Sequence, residues 1–374
     1  MHPLIKWPGG KSGEIREIEK YIPSYDRYVE PFLGGGALFF HLNPGKAAVN
    51  DVSQSLMQFY GLIKKQDSRL YDMLLCYNDS FNNLVAVCED CYDDILRIYL
   101  ELSKGTLNRE ALQTKLDGLL SAMAGRIYAG FSEKLVLDRD LFMRHICEMV
   151  IDKMQRTIKN NRKSPFSEED LKNNLITGFT SGYYMYFRSV YNDISLKRIC
   201  PASLQYEIAN FCFIREYCYG SMFRYNSRGE FNIPYGGMSY NTKNFKNKID
   251  NMFNEDVRNI FRNTDIYCAD FEVFMEKAEL TERDFMFLDP PYDTDFSDYE
   301  GRDFTKKDQE RLARVLTGTA AQFILVIKNT DFIYSLYKDK FNILSFDNRY
   351  AYNMRSRNER NVKHLLITNL PVGS

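Results

Sequence analysis

The chain has 374 residues, of which 44% are hydrophobic and 26% charged, and its formal net charge is −1. This composition is typical of a globular protein, and the length is sufficient for two domains with a sizeable core. Lys328 interrupts the apolar run 323–327, and residues 1–6 lack the apolar core of a signal peptide, so we expect no membrane association. The net charge by itself does not indicate a nucleic-acid partner.

The first motifs lie within the N-terminal 65 residues. Residues 6–11 read Lys-Trp-Pro-Gly-Gly-Lys, where the tryptophan is either a structural cap or a wall beside a nucleoside ligand. Residues 28–37 predict a strand, a glycine turn and the start of a helix, and residues 47–51 predict a second strand that ends in Asp51. An acid about 20 residues after a glycine turn occupies the ribose-binding position of dinucleotide folds. Residues 53–65 predict a helix.

The long middle segment, residues 66–218, has a mainly helical pattern. It contains Cys88 and Cys91 in a lone C-x-x-C motif. The chain has eight cysteines but no second C-x-x-C and no histidine close to this one, so we favour free thiols over zinc or a disulfide framework. A basic run at positions 153, 156, 159, 162 and 163 is more often a solvated helix face than a phosphate-binding track.

The pattern changes at residues 223–237, which predict a β-hairpin rich in arginine, asparagine and aromatic residues. Its turn has the sequence Ser-Arg-Gly-Glu at positions 227–230. Residues 265–271 then predict a strand that ends in Asp270 and Phe271. An acid next to an aromatic residue at a strand end suits contact with a nucleoside cofactor.

The apolar run 285–288 predicts a buried strand, which the sequence Asp289-Pro290-Pro291-Tyr292 ends abruptly. Three groups then lie at the carboxyl edge of a sheet, where open α/β proteins bind ligands. They are a carboxylate, an aromatic ring and a backbone carbonyl that has no local N–H to accept from. Such a set suits a planar amino-substituted base, whose amine donates to Asp289 and the Pro290 carbonyl while Tyr292 stacks on the ring. For these four residues alone, the alternative is a strand-end turn without function.

Residues 305–316 predict a helix with a capping pattern. Further strands are predicted at residues 322–328, 341–347 and 363–368. Strands and helices alternate at both ends of the chain and a helical block separates them, which predicts an α/β fold. We expect one discontinuous domain, residues 1–65 plus 260–374, and an inserted, mainly helical domain, residues 66–259, that includes the hairpin 223–237.

Taken together, these features resemble the DNA adenine-N6 methyltransferases of the Dam type, which form the D12 class. The features that carry the resemblance, in the family's order, are residues 6–11, residues 30–37, Asn50-Asp51, residues 223–236 and residues 289–292. The resemblance covers residues 1 to about 65 and about 220 to 374. It implies a Rossmann-like S-adenosylmethionine-dependent methyltransferase domain, with the inserted domain serving target recognition. The segment 66–218 is much longer than in compact members, and Gly237-Met238 stands where those members often continue with a basic residue.

The resemblance implies S-adenosylmethionine as cofactor, S-adenosylhomocysteine as product and no metal. The cofactor-binding residues that it implies are Trp7, Lys11, Phe32, Gly34, Asp51, Asp270, Phe271 and Asp289. Trp7 and Lys11 would lie at the methionine end or the adenosine rim, and Asp51 would hold the ribose hydroxyls. Phe32 and Gly34 would line the turn beneath the cofactor. Asp270 and Phe271 would contact its adenine, and Asp289 would bridge the cofactor and the target amine.

The resemblance also implies that double-stranded DNA is contacted by the hairpin. The DNA-binding residues that it implies are Arg224, Tyr225, Asn226, Arg228, Asn232 and Pro234. Tyr225 is a candidate wedge in the base stack, and Arg228 is a candidate reader of a guanine edge. A cognate restriction endonuclease is a candidate partner. We expect a monomer or weak dimer in the cytoplasm, bacterial or phage-encoded and associated with DNA.

The implied reaction is direct methyl transfer to N6 of an adenine that has left the duplex stack. The implied catalytic residues are Asp289, Pro290, Pro291 and Tyr292. Hydrogen bonds from the amine to Asp289 and the Pro290 carbonyl would stabilise the positive charge that grows on the nitrogen. The alternatives are methylation of cytosine N4 or of a protein glutamine, a DNA-binding module without catalysis, and RNA methylation. Glutamine enzymes typically carry asparagine in place of Asp289, and the intact Asp289 and glycine turn argue against a non-catalytic module.

Overall fold

The structure is a computed structural model that describes residues 1–11, 13–135, 138–291, 304–348 and 362–371. The chain forms two compact units. The first, here called the sheet unit, comprises Met1–Gln66 and Asn254–Ser374, and the second, the helical unit, comprises Asp67–Phe253. Across the described ranges, no helix is long and apolar enough to cross a membrane.

The sheet unit is built on a seven-stranded sheet with the strand order β3-β2-β1-β4-β5-β7-β6. The strands are β1 Arg27–Glu30, β2 Ala47–Asn50, β3 Thr264–Tyr267, β4 Asp284–Leu288, β5 Gln322–Lys328, β6 Asn342–Asn348 and β7 Val362–Thr368. Strands β1 to β5 are parallel to one another, whereas β7 is antiparallel to both β5 and β6. The chain proceeds from β1 to β2 on one side and later fills β4 and β5 on the other. The carboxyl ends of β1 and β4 therefore form a topological switch point, where open α/β sheets bind ligands.

Helices cover the sheet and form most of the second unit. The α-helices of the described residues are α1 Ile15–Ile18, α2 Ala37–Leu42, α3 Gln54–Lys64, α4 Ser68–Asp90, α5 Tyr92–Ser103, α6 Arg109–Ala129, α7 Arg139–Asn161, α8 Glu168–Ser195, α9 Leu204–Tyr217, α10 Phe245–Met252, α11 Glu255–Arg262, α12 Phe271–Lys277, α13 Lys306–Thr317 and α14 Asp331–Tyr337. Every residue of β2 and β4 is buried, as expected for parallel strands that are packed on both faces.

The two faces of the sheet have separate apolar cores. On one face, Phe274 of α12, Leu312 of α13 and Tyr337 of α14 belong to a single buried cluster with Met286 of β4. Tyr28 of β1 lies on the other face, because side chains alternate along a strand. Its ring packs against that of Phe39 in α2, with 6.2 Å between the ring centroids. Burying a side chain of this size stabilises the fold by about 1.5–3 kcal/mol. These cores hold the strand ends, and hence the site, in fixed positions.

The helical unit has an aromatic core and one unusually close helix pair. Tyr183 of α8 packs against Phe81 of α4 at 5.5 Å and against Phe213 of α9 at 5.4 Å. Helices α7 and α8 approach closely at Gly178 and Gly182 of α8. A Cβ at Gly178 would lie 3.0 Å from the Cα of Val150, and one at Gly182 would collide with the backbone of α7. The segment predicted to be mainly helical, residues 66–218, is occupied by α4 to α9.

Two local predictions can be compared directly with the structure. The capping pattern before α13 is confirmed, since the backbone N–H of Thr305 donates to Oδ2 of Asp308 at 2.9 Å. The predicted strand 265–271 is too long, because β3 ends at Tyr267. Asp270 instead begins α12 as its N-cap and accepts from the N–H of Glu272 at 3.0 Å. An Asp at this position favours a helix start over a continued strand.

The eight cysteines are all free thiols. Cys88 is buried and Cys91 is half-buried, and burial raises the pKa of the Cys88 thiol well above its ordinary value. A group of three or more histidine, cysteine or acidic side chains that could hold a metal is not found in the described part of the chain.

Candidate functional site

The loops that follow β1, β2 and β4 carry the residues singled out from the sequence. Pro31 to Gly36 follow β1, Asp51 follows β2, and Asp289, Pro290 and Pro291 follow β4. These strands are neighbours in the parallel part of the sheet, so their carboxyl ends lie at the same edge. Tyr292, predicted to stack on the target base, lies outside the described residues.

The carboxylate of Asp289 forms an ion pair with Lys11, whose Nζ lies 2.7 Å from Oδ1. The Lys11 side chain is only 4% exposed and that of Asp289 is 19% exposed, so the pair is largely shielded from water. Lys11 also donates to the carbonyl of Gly9 at 3.2 Å. Burial raises the pKa of Asp289, whereas the adjacent Lys11 lowers it. The ion pair joins the N-terminal motif to the acid that ends β4.

A second buried pair acts on Asp289 electrostatically. Glu14 lies directly before α1 and His364 on β7, and the His364 Nδ1 is 3.2 Å from the Glu14 Oε1. The negative charge of Glu14 raises the pKa of Asp289, and His364 lowers it. Neither residue was predicted to belong to the site, because a single histidine on an apolar strand has no distinctive spacing in the sequence.

The glycine turn after β1 is shaped by Trp7 and Asp51. Gly34 has a φ of 49°, and a Cβ at this position would lie 2.7 Å from Cδ1 of Trp7. The N–H of Gly34 donates to Oδ2 of Asp51 at 2.9 Å, and the N–H of Ser53 donates to Oδ1 at 2.9 Å. Asp51 therefore holds the turn and the entry to α3, in addition to the ribose contact predicted for it.

Asn50 connects two loops to the end of β2 at this edge of the sheet. Its buried amide donates to the carbonyls of Pro31 and Ala269, both at 3.0 Å, and accepts from the N–H of Ala269 at 2.9 Å. Three bonds from one side chain fix the loops after β1 and β3 to the end of β2. The sequence marked Asn50 as part of a strand end and, with Asp51, as one of the features that carry the family resemblance, but it did not predict these bonds.

Three phenylalanine rings and one arginine surround the start of α12. Phe32 contacts Phe271 at 5.5 Å and Phe304 at 5.7 Å between ring centroids. The guanidinium of Arg311 lies 4.9 Å from the centroid of Phe271 and forms an ion pair with Asp270 at 2.7 Å. The structure thus brings together Phe32, Asp270 and Phe271, all predicted to lie at the cofactor, and adds Phe304 and Arg311.

Gln309 supports the turn that follows Asp289. It is fully buried, and its Nε2 donates to the carbonyl of Pro291 at 3.0 Å. Its Oε1 is buried and has no hydrogen-bond partner among the residues that the structure describes. Gln309 shares the buried face of α13 with Leu312 and Leu316. A polar residue at an apolar helix position is the sequence signal that marks it, and the sequence analysis did not use this signal.

A third carboxyl group, that of Glu30, is buried at the end of β1. Tyr28 donates its hydroxyl to Oε2 of Glu30 at 2.8 Å. Burial raises the pKa of Glu30 well above its ordinary value, and the charges of Asp289 and Asp51 raise it further. Glu30, Asp51 and Asp289 therefore form a group of acidic side chains at the strand ends, here called the acidic surround, in which the neutral form of Glu30 is favoured.

The segment 223–237 of the helical unit forms a short antiparallel hairpin. The N–H of Asn226 donates to the carbonyl of Glu230 at 2.9 Å, and that of Asn232 donates to the carbonyl of Arg224 at 3.1 Å. Oδ1 of Asn226 accepts from the N–H groups of Arg228 and Glu230, at 2.9 and 3.0 Å, so this side chain builds the turn.

The other predicted DNA-contacting residues differ in exposure. Arg224 and Pro234 are exposed, and the Arg228 side chain is 79% exposed, with its Nε 3.7 Å from Oε2 of Glu230. Asn232 is half-buried and accepts from Nε of Arg224 at 3.3 Å. Tyr225 is half-buried against the ring of Phe231, at 5.8 Å. Arg224, Arg228 and Pro234 are thus the most accessible of the six.

The fold and the acidic strand ends are those of an α/β methyltransferase, in which a mostly parallel sheet carries its site at the switch point. The chain belongs to the D12 class N6 adenine-specific DNA methyltransferase family, whose model matches residues 7–94 and 146–352. Residues 95–145, which contain α6 and most of α5, lie outside the match.

Several curated relatives resemble the chain over most of its length. It is 25% identical to the type II methyltransferase M.CviBI of Paramecium bursaria Chlorella virus NC1A, over 99% of this chain and 100% of that protein. It is 36% identical to the retron Ec67 DNA adenine methylase of Escherichia coli, over 91% of this chain and 81% of the relative. The DNA adenine methylase of Escherichia coli strain K12 is 20% identical, over 88% of this chain and 80% of the relative. The chain is therefore an adenine-specific DNA methyltransferase.

Proposed function

We propose that this enzyme transfers a methyl group from S-adenosylmethionine to N6 of a flipped adenine at specific sites in duplex DNA. The observation that carries the proposal is the position of Asp289, followed by two prolines, at the switch point of the sheet. Family membership supports the adenine target over cytosine N4, a protein glutamine or RNA.

The acidic surround fits a cofactor with a positive centre. Burial raises the pKa of Glu30, and so does repulsion from the charges of Asp289 and Asp51. A sulfonium cation placed near these groups would relieve this repulsion. When bound, S-adenosylmethionine supplies the electrophilic methyl group. Trp7 and Lys11 would contact it beside the glycine turn, and Phe32, Gly34, Asp270 and Phe271 are the other residues proposed to hold it.

Asp289 and Pro290 would hold the target amine. A proline has no N–H and cannot pair with a neighbouring carbonyl, and Gln309 already donates to the carbonyl of Pro291. The amine can therefore donate to Asp289 and to the carbonyl of Pro290. Both acceptors are positioned before the reaction, so they stabilise the positive charge that develops on N6 without reorganisation. Tyr292 is proposed to stack on the base and keep it aligned with the methyl group.

Lys11 would also stabilise the charge of Asp289. In the structure it neutralises Asp289 at 2.7 Å. A carboxylate in this largely buried place would be costly without such a partner. When the amine arrives, Asp289 shares its negative charge between Lys11 and the amine, and while the substrate is absent Lys11 favours the ionised form of the carboxyl group against the effect of burial.

The hairpin is the proposed contact for duplex DNA. Arg224 and Arg228 are exposed there, and arginine is the side chain that most often reads a guanine edge. An adenine must leave the stack before its N6 can react, which costs a few kcal/mol. Contacts by the hairpin would offset part of this cost, with Tyr225 as the candidate wedge and Asn226, Asn232 and Pro234 as further contacts.

The remaining proposals concern the setting of the enzyme. Relatives named type II methyltransferases suggest a cognate restriction endonuclease as partner. We propose a cytoplasmic enzyme that works as a monomer or weak dimer and needs no metal.

Product analysis tests the proposed function directly. The purified chain is incubated with plasmid DNA and radiolabelled S-adenosylmethionine, in the presence of EDTA, and the DNA is digested to nucleosides. We expect label in N6-methyldeoxyadenosine, a loss of about 100-fold or more in Asp289→Asn, and no loss in the control Asp265→Asn, which changes an exposed acid of β3. Label in N4-methyldeoxycytidine, or transfer only to RNA, would overturn the proposal. Sequencing of modified DNA then identifies the recognition site.

A further inference from the structure

The second strand of the hairpin is fastened to the helical unit by the side chain of Asn192 on α8. Nδ2 of Asn192 donates to the carbonyl of Phe231 at 3.1 Å, and Oδ1 accepts from the N–H of Phe231 at 2.8 Å. One amide side chain thus satisfies both backbone groups of one residue, as a neighbouring strand would in a sheet. Asn192 is 9% exposed and Phe231 is 1% exposed, so these bonds are shielded from water.

Two further side chains of α8 hold the same strand. The hydroxyl of Tyr184 donates to the carbonyl of Ile233 at 3.0 Å, and Nη1 of Arg188 donates to the same carbonyl at 3.1 Å. Positions 184, 188 and 192 are four residues apart and therefore lie on one face of the helix. This face acts as a rigid support to which residues 231–233 are attached.

The first strand and the turn are also attached, to α8 and to the segment after it. The hydroxyls of Tyr225 and Tyr191 are 3.2 Å apart. Arg198, just beyond α8, forms an ion pair with Glu230 at 2.9 Å. Arg228 remains exposed at the tip. An isolated two-stranded hairpin is marginally stable in water, so its position depends on these attachments.

We propose that Asn192 is a positioning residue for DNA recognition, because it sets the place of the hairpin against α8. The inference rests on the proposed role of the hairpin in DNA contact. Without the amide, both backbone groups of Phe231 lose a buried partner, and leaving such groups unsatisfied is costly. The hairpin then moves or frays to regain partners, and its tip no longer meets the duplex in one orientation.

The chain offers matched control residues in the same core. Asn210 on α9 is also a buried asparagine, and its Nδ2 donates to the Tyr77 hydroxyl and to the Phe187 carbonyl, each at 3.1 Å, away from the hairpin. Tyr183 is the neighbour of Tyr184, and its hydroxyl lies 2.7 Å from that of Ser80. Asn210→Ala and Tyr183→Phe remove comparable buried bonds without touching the hairpin.

The test compares these variants on a duplex oligonucleotide that carries the site identified by sequencing. We expect Asn192→Ala to raise the KM for DNA about tenfold, the equivalent of about 1.4 kcal/mol, and to reduce discrimination against single-base variants. Its kcat at saturating DNA and its calorimetric affinity for S-adenosylhomocysteine should stay within about twofold of wild type. The milder Tyr184→Phe, which leaves Arg188 bonded to Ile233, should raise this KM about two- to threefold.

The controls should lower the melting temperature without these effects on DNA. An equal rise in KM for Asn192→Ala and Asn210→Ala would overturn the inference, since the effect would then reflect general destabilisation. The double variant Arg224→Ala/Arg228→Ala tests the role of the hairpin itself. If it weakens DNA binding while folded Asn192→Ala and Tyr184→Phe do not, the positioning role fails and the proposed function stands. If none of these variants changes DNA binding or discrimination, the hairpin is not the DNA contact and both ideas fail.

Discussion

The ion pair between Lys11 and Asp289 predicts that removing the acid affects both stability and activity. Asp289→Ala leaves a lysine that is 4% exposed without its carboxylate partner at 2.7 Å. Breaking a buried pair by removing one member costs about 3 kcal/mol. At about 2–4 °C for each kcal/mol in a unit of this size, the melting temperature should fall by about 6–12 °C.

A second substitution separates the two effects. In Lys11→Met/Asp289→Ala neither charge remains, so we expect most of the melting temperature to return. Methyl transfer should stay at least about 100-fold below wild type, because the acceptor for the charge that develops on N6 is still missing.

The assay combines thermal melts of the four members of this double-mutant cycle with single-turnover methyl transfer. Identical melting temperatures for wild type and Asp289→Ala would refute the argument from the buried pair. Near-normal turnover by folded Asp289→Ala would remove this residue from the chemistry.

Three further predictions concern other residues. Asp51→Ala should weaken cofactor binding about tenfold and DNA binding less, because Asp51 holds the Gly34 turn; calorimetry measures both. Arg228→Ala should lower discrimination at one base pair by about 1–3 kcal/mol if Arg228 reads guanine. Lys159→Ala should instead weaken DNA binding to all sequences and flatten the salt dependence of that binding. Methylation of oligonucleotides varied one base at a time, together with salt titrations, distinguishes these two effects. Glu30→Gln should gain stability relative to wild type as pH rises from about 4 to about 8, as thermal melts at each pH would record. Burial raises the folded-state pKa of Glu30, so the stabilising contribution of this group is fully present below the ordinary glutamate pKa and is lost as pH rises towards the raised value.

Each of these predictions has an opposing result. Unchanged cofactor affinity in Asp51→Ala would mean that neither a ribose contact by Asp51 nor its bond to the Gly34 turn contributes to cofactor binding. Equal slowing of every oligonucleotide by Arg228→Ala would mean that it contacts phosphates and does not read a base. A stability difference between Glu30→Gln and wild type that does not vary with pH would contradict a buried neutral carboxyl group.

Local patterns in the sequence determined the elements that surround the site. The apolar run before Asp289, the glycine turn before α2 and the capping pattern before α13 each depend on residues close together in the chain. The prediction that the strand continues to residue 271 was wrong, because Asp270 can either end a strand or begin a helix, and in the structure it begins α12. The sequence pattern also predicted that residues 66–218 are mainly helical.

Only the tertiary structure decided which distant residues meet. Lys11 and Asp289 form their pair because the N-terminal segment and the loop after β4 belong to one unit, and no spacing in the sequence encodes this contact. Gln309 and Asn192 are polar residues on buried helix faces, and their backbone partners, Pro291 and Phe231, are known only once the chain is folded. Periodicity specifies which face of a helix is buried, but it does not specify what lies opposite. The chemistry of the strand ends was therefore predictable from the sequence, whereas the side chains that hold those ends and the hairpin in place were determined by packing.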